Sequence, residues 1–130
     1  MQKVILVALG GGLGSVLRYL TSLCVAYFFA GKFPLATFII NFLGCLLMGV
    51  LIQIVGSIGF RSTESLDAIN PYKYLFITGF CGGFTTFSTF ASENFQLIQS
   101  GNLAMAFTYI VLSVVLGVLG IWLGMMLVKF

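Results

Sequence analysis

The residues able to do chemistry in this chain gather in one stretch, Gly79 to Asn94, reading GFCGGFTTFSTFASEN. It holds the glycines Gly79, Gly82 and Gly83 and the hydroxyls of Thr85, Thr86, Ser88, Thr89 and Ser92. Four rings, Phe80, Phe84, Phe87 and Phe90, and one acid, Glu93, complete it. Each glycine weakens a helix by about 1 kcal/mol relative to alanine. Gly79 to Thr86 therefore reads as a break near the middle of an apolar helix, whose freed carbonyls and amides can bind ions. The bland alternative is a continuous helix in which the glycines only permit close packing. Phe87 and Phe90 stand three apart on one side, and Thr86, Phe90 and Glu93 also share a side. Rings at this spacing usually pack. A ring edge is electropositive, however, and can touch an anion without a full charge to trap it.

Outside this stretch, two polar residues lie deep in apolar surroundings. Arg18 follows Gly10 and Gly14 at steps of four, on one side of a helix. The glycine pair is the small-xxx-small pattern that lets helices approach. An arginine near a membrane centre costs about 2.5–3.5 kcal/mol on insertion scales, so Arg18 is expected to face an aqueous pocket, the alternative being that it snorkels to the headgroups. Asn41 sits in a row at steps of four: Thr37, Asn41, Cys45, Gly49, Gln53 and Ser57, with Gly44 and Gly56 beside it. Its amide serves either as glue between helices or as a ligand contact, and the row alone does not choose. Tyr109, Ser113, Gly117 and Gly124 form a similar inward side late in the chain, with Trp122 as an interfacial anchor.

The elements that must carry these residues are membrane helices. The chain has 130 residues, 60% of them hydrophobic, with six basic residues, three acidic residues and no histidine. Apolar runs of about 20 residues are the mark of spanning helices. Four are present: Val4 to Ala30, Phe33 to Ile58, Tyr74 to Gln99 and Leu103 to Val128. The expected fold is all-α, a single integral membrane domain over residues 1–130 whose third of four spans is broken. Pro34 suits the first turn of the second span. The first apolar run outlasts the h-region of a signal peptide, so it is read as a retained span. Gly59 to Lys73, with Arg61, Ser62, Thr63, Glu64, Ser65, Asp67, Asn70 and Pro71, reads as a solvated connector. Cys24, Cys45 and Cys81 match no metal spacing. With no nucleophile–base pair an enzyme is not expected, and a scattered net charge of +3 gives no nucleic-acid surface.

These residues together resemble the Fluc (CrcB) family of bacterial fluoride channels along the whole chain. The resemblance rests on GGGLGSVLRY at 10–19, TFIINFLGCLLMG at 37–49, GFCGGFTTFSTFASE at 79–93, and Tyr109 with Ser113. It implies an antiparallel, dual-topology homodimer with two pores, surrounded by lipid in the bacterial inner membrane. It implies a structural Na⁺ at the dimer centre, held by backbone carbonyls of Gly82 and Thr85 from both copies. Phe87 and Phe90 would line the fluoride path, with Asn41 as the pore asparagine and Arg18 in the aqueous vestibule. Ser88, Thr89, Tyr109 and Ser113 would form a polar row beside the rings, with Glu93 near the pore end. The implied activity is passive, fluoride-selective efflux that relieves fluoride toxicity.

Two rival readings meet obstacles. A small proton-coupled multidrug exporter also has four short helices, but it needs a membrane-embedded acid, usually in the first span. Here that span carries Arg18 and no acid. A purely structural subunit gives Arg18, Asn41 and the glycine break no purpose. With four spans, Lys3, Arg61, Lys73 and Lys129 fall on one side and Lys32 on the other. This is a modest positive-inside bias, whereas dual topology calls for near balance.

Overall fold

A computed structural model describes residues 1–61 and 71–128, with side chains up to residue 56 and again from residue 71. The connector residues Ser62, Thr63, Glu64, Ser65, Asp67 and Asn70, together with Lys129 and the side chains of Ser57 and Arg61, lie outside the described residues. Among the described residues, six helical elements follow one another: α1 (Gln2–Phe28), α2 (Leu35–Arg61), α3 (Lys73–Cys81), α4 (Gly82–Phe84), α5 (Phe87–Gln99) and α6 (Leu103–Leu127).

Three of these are long and apolar enough to cross a bilayer: α1, Leu35–Gly56 of α2, and α6. A helix satisfies its backbone internally, as the hydrocarbon core requires. At about 1.5 Å per residue, the 27 residues of α1 exceed the roughly 30 Å of that core. The third apolar run differs. It is divided among α3, α4 and α5, and neither half reaches across alone. In addition, α3 is wound as a π-helix over its nine residues, a rare winding that recurs at functional sites.

The helices pack as two seams. α1 lies along α3 and α4, while α2 lies along α6, and α5 leans on α6. Small residues make both seams. A Cβ added to Gly14 would stand 2.8 Å from the amide nitrogen of Phe84, and one on Gly79 would stand 2.9 Å from the carbonyl of Val7. On the other seam, a Cβ on Gly124 would stand 2.9 Å from the amide nitrogen of Val50. Close backbone approach of this kind replaces the hydrophobic drive that helices lack in lipid. The outer faces are apolar and exposed, for example Leu9, Leu13, Val16 and Leu20 on α1, and Val114, Val118 and Trp122 on α6.

Two short turns complete the frame. Pro34 directly precedes α2, and its carbonyl accepts the amide of Phe38 at 3.2 Å. Between α5 and α6, Gly101 has φ of 77°. Gly101 donates its amide to Ile98 and Asn102 donates its amide to Leu97, the double bond of a Schellman stop that needs glycine at the left-handed position.

Candidate functional site

The break lies at Thr85 and Thr86. Thr85 has φ −76° and ψ 158°, and Thr86 has φ −148° and ψ 114°. Both angles are extended, a conformation that suits β-branched residues. The three glycines upstream remain helical, with Gly79 and Gly83 pressed against α1. The sequence expectation of a break across Gly79 to Thr86 therefore narrows to its last two residues. Both readings of the glycines hold in part: the helix is broken, and the glycines serve close packing beside the break.

Asn41 holds the break in place. Its Nδ2 donates to the carbonyl of Thr86 at 3.2 Å, and its Oδ1 accepts the amide of Thr86 at 2.8 Å. A side-chain amide thus pairs with both polar groups of one residue, as a neighbouring backbone would. Without it, those groups would stand unpaired in a low-dielectric setting, at several kcal/mol each. In a continuous helix the amide of Thr86 would instead bond the carbonyl of Gly82, which loses that donor here. The hydroxyl of Thr85 donates to the carbonyl of Cys81 at 2.9 Å. The hydroxyl of Thr86 caps α5 by accepting the amide of Thr89 at 3.3 Å. It also donates to the hydroxyl of Thr89 at 3.0 Å and lies 3.4 Å from that of Ser88.

Beside the break is a cavity of about 320 Å³, lined by Asn41, Thr85, Thr86, Phe87, Phe90 and Ser113 among others. The Phe87 and Phe90 rings are 5.9 Å apart at 43°. Phe87 is 79% exposed, and nothing lies within 4 Å of a Cβ built on Gly82. The Ser113 hydroxyl is buried with no hydrogen-bond partner among the described residues. A buried polar atom of this kind calls for a ligand or water.

Glu93 occupies a position that charge alone does not explain. The hydroxyl of Thr37 donates to its Oε1 at 2.7 Å, and the hydroxyl of Tyr109 donates to its Oε2 at 2.9 Å. Thr37 and Tyr109 are both buried. The Tyr109 ring meets Phe90 at 4.9 Å and Phe33 at 5.3 Å, both edge to face. The carboxylate therefore fixes the tyrosine, and the tyrosine braces one ring of the phenylalanine pair. Thr37 is the member that the site expectation missed. Its place at the head of the polar row in α2 was the available clue.

The expected site residues fall into three groups. Asn41, Phe87, Phe90 and Ser113 share the cavity with Thr85. Ser88, Thr89, Glu93 and Tyr109 join it indirectly, through Thr86 and Phe90. Arg18 and Gly82 do not line it. Arg18 sits half-buried on α1, and Ser22 donates to its carbonyl at 3.0 Å. One turn before it, Ser15 donates to the carbonyl of Gly83 at 3.4 Å.

Comparison with known proteins gives a consistent result. A family model described as CrcB-like protein, Camphor Resistance (CrcB), matches residues 5–125. A Flavobacterium psychrophilum protein named fluoride-specific ion channel FluC is 48% identical over 130 residues, covering 99% of this chain and 98% of that one. A protein of the same name from Phocaeicola vulgatus is 44% identical over 124 residues, covering 95% of this chain and 96% of the relative. Another from Azobacteroides pseudotrichonymphae is 42% identical over 130 residues, covering 100% of this chain and 98% of the relative.

Proposed function

This chain belongs to the CrcB-like protein family, and from that premise we infer that it is a fluoride channel, a transport protein rather than an enzyme. It lets fluoride leave the cell passively, down its own gradient. The observation that carries this reading is the pairing of Asn41 with both polar groups of Thr86, beside Phe87 and Phe90. That pairing keeps non-helical backbone at membrane depth, which lipid tolerates only where protein buries it or a watery cavity opens on it.

The groups around the break suit a small, tightly hydrated anion. To cross, fluoride must exchange water for contacts that are individually weak and easily left. Asn41 has a second amide hydrogen, the Ser113 hydroxyl has no partner among the described residues, and the phenylalanine edges carry partial positive charge. The 13-residue α5 begins directly after the break, so the positive end of its dipole faces the same place. Ser88 and Thr89 extend the polar row, Tyr109 and Glu93 hold the Phe90 side in shape, and Arg18 belongs to an aqueous vestibule.

The working unit in this reading is an antiparallel, dual-topology homodimer in the bacterial inner membrane, bounded by lipid. Several features support a second copy. Phe87 is exposed, the Gly82 face is open, and Ser88, Thr89 and Ser92 are exposed polar residues on a helix at membrane depth. Such groups call for a partner or for water. The residues also fit a structural Na⁺ at the centre of that dimer. The carbonyl of Gly82 lacks its helical donor and that of Thr85 belongs to an extended residue, and oxygens of this type are the ligands hard cations take. When bound, the cation would lower the cost of placing fluoride nearby. The exporter alternative finds no support, since α1 holds no acid and both oxygens of Glu93 are already engaged.

The test is efflux from liposomes that contain the purified protein, with fluoride and chloride gradients run side by side. Fluoride is expected to leave without a proton gradient while chloride stays. Folded, dimeric protein that released no fluoride would overturn the reading.

A further inference from the structure

A second cleft, of about 510 Å³, opens where the α1–α2 connector meets the α5–α6 turn. Lys32, Pro34, Glu93, Gln96, Ser100 and Asn102 line it. We propose that Lys32 draws fluoride into this cleft, making it one mouth of the conduction path. The proposal rests on the channel reading above.

Three observations converge. First, Glu93 lines the cleft, its oxygens are held by Thr37 and Tyr109, and the Tyr109 ring touches Phe90. The cleft is thus separated from the phenylalanine pair by one layer of side chains. Second, an anion entering here meets a carboxylate, and Lys32 is the only cation lining the same cleft. Without it the lining carries net negative charge and repels the ion it has to admit. Third, the neutral polar lining groups each have a donor engaged elsewhere, and none carries the full positive charge that draws an anion from a distance. Gln96 donates to Ser92 at 3.4 Å, Ser100 to the carbonyl of Leu97 at 3.0 Å, and Asn102 to Ser100 at 2.9 Å. Lys32 is exposed and makes no hydrogen bond or ion pair with the described residues. Its exposed ammonium is a positive charge in the cleft lining, which suits steering rather than binding. Charge of one sign in a low-dielectric cleft raises the local concentration of the opposite ion, and salt screens the effect.

The experiment compares initial fluoride efflux for wild type and for Lys32→Gln, Lys32→Glu and Lys32→Arg. It uses vesicles of zwitterionic lipid, so that surface potential does not contribute, and protein confirmed dimeric by gel filtration. At about 20 mM ionic strength, where the screening length is roughly 20 Å, Lys32→Gln should slow efflux about threefold. Lys32→Glu should slow it about tenfold, within the range of steering effects. Lys32→Arg should match wild type. At about 0.5 M salt, with a screening length of about 4 Å, the four proteins should converge. Equal rates at low salt would overturn the proposal. So would a loss in Lys32→Gln that persists at high salt or is shared by Lys32→Arg, since that marks a structural role. A wild-type protein that releases no fluoride would sink the channel reading itself, which is a separable result.

Discussion

Between Gly79 and Phe84 the chain lies backbone to backbone against α1, while between Thr85 and Glu93 the same stretch turns its hydroxyls, rings and one carboxylate on α2, α6 and a cavity. Both halves carry residues that look out of place in a membrane span, but for different reasons. The first half needs the absence of side chains, because Gly79 and Gly83 stand where a Cβ has no room. The second half needs particular side chains, its own and its neighbours', because Thr86 and Glu93 within it, and Asn41 on α2 and Tyr109 on α6, each satisfy a polar group that lipid would leave bare. Substitutions at the packed glycines should therefore act on stability, and those at the second half and its partners on permeation, with a stability cost where the side chain is buried.

The largest effect is expected from Gly14→Ala or Gly83→Ala. The added carbon would meet backbone rather than a movable side chain, with Gly83's only 2.9 Å from the Cα of Gly11. A loss above about 3 kcal/mol is expected, beyond the usual range for overpacking, and it would show as little folded protein on gel filtration. Gly82→Ala supplies the contrast within the same half: its site is open in the single chain, so the fold should survive. If Gly82→Ala proved as damaging as Gly83→Ala, the division between packed and open glycines would be wrong.

Next in size is Tyr109→Phe. It removes the donor to Oε2 of Glu93, a part-buried bond made by a tyrosine that is itself fully buried. A loss of about 1–3 kcal/mol follows from leaving that oxygen unpaired, measured as a shift in denaturant midpoint. Pairing it with Thr37→Val in a double-mutant cycle should reveal coupling through the shared carboxylate, whereas simple additivity would remove Glu93 as the link.

The smallest effect on stability belongs to Phe87→Ile. Phe87 is mostly exposed in the single chain, so the midpoint should move by less than about 0.5 kcal/mol while fluoride efflux falls. Phe90→Ile should also cut efflux, but at a larger cost in stability, because that ring packs on Tyr109. Undiminished efflux in both variants would reduce the rings to packing.

The sequence showed more of the second half than of the first. Arg18, Asn41 and the hydroxyl cluster stand out because a polar residue in a span must have a reason. The helices α1, α2 and α6 were legible from apolar length, within a few residues at each end. The position of the break was not, because glycine is an ambiguous mark in lipid: it permits unwinding, and it equally permits close approach. At Gly79 and Gly83 the second use holds, and two threonines take the extended backbone instead. The bonds that hold the site were also hidden. Asn41 reaches a residue 45 positions away, and Thr37 reaches one 56 away. No local pattern encodes such pairings. Glu93 was visible as an isolated acid, but its role emerges only when both oxygens are seen to be engaged.

The most direct test of the account is fluoride efflux through Asn41→Asp in protein confirmed folded and dimeric. The aspartate keeps an acceptor for the amide of Thr86, loses the donor to its carbonyl, and sets a negative charge beside Phe87 and Phe90. The account requires efflux to fall by tenfold or more, roughly the 1.4 kcal/mol equivalent of modest charge repulsion in a partly desolvated site. Wild-type efflux through Asn41→Asp would contradict it, because fluoride would then be crossing by a route that does not pass the break.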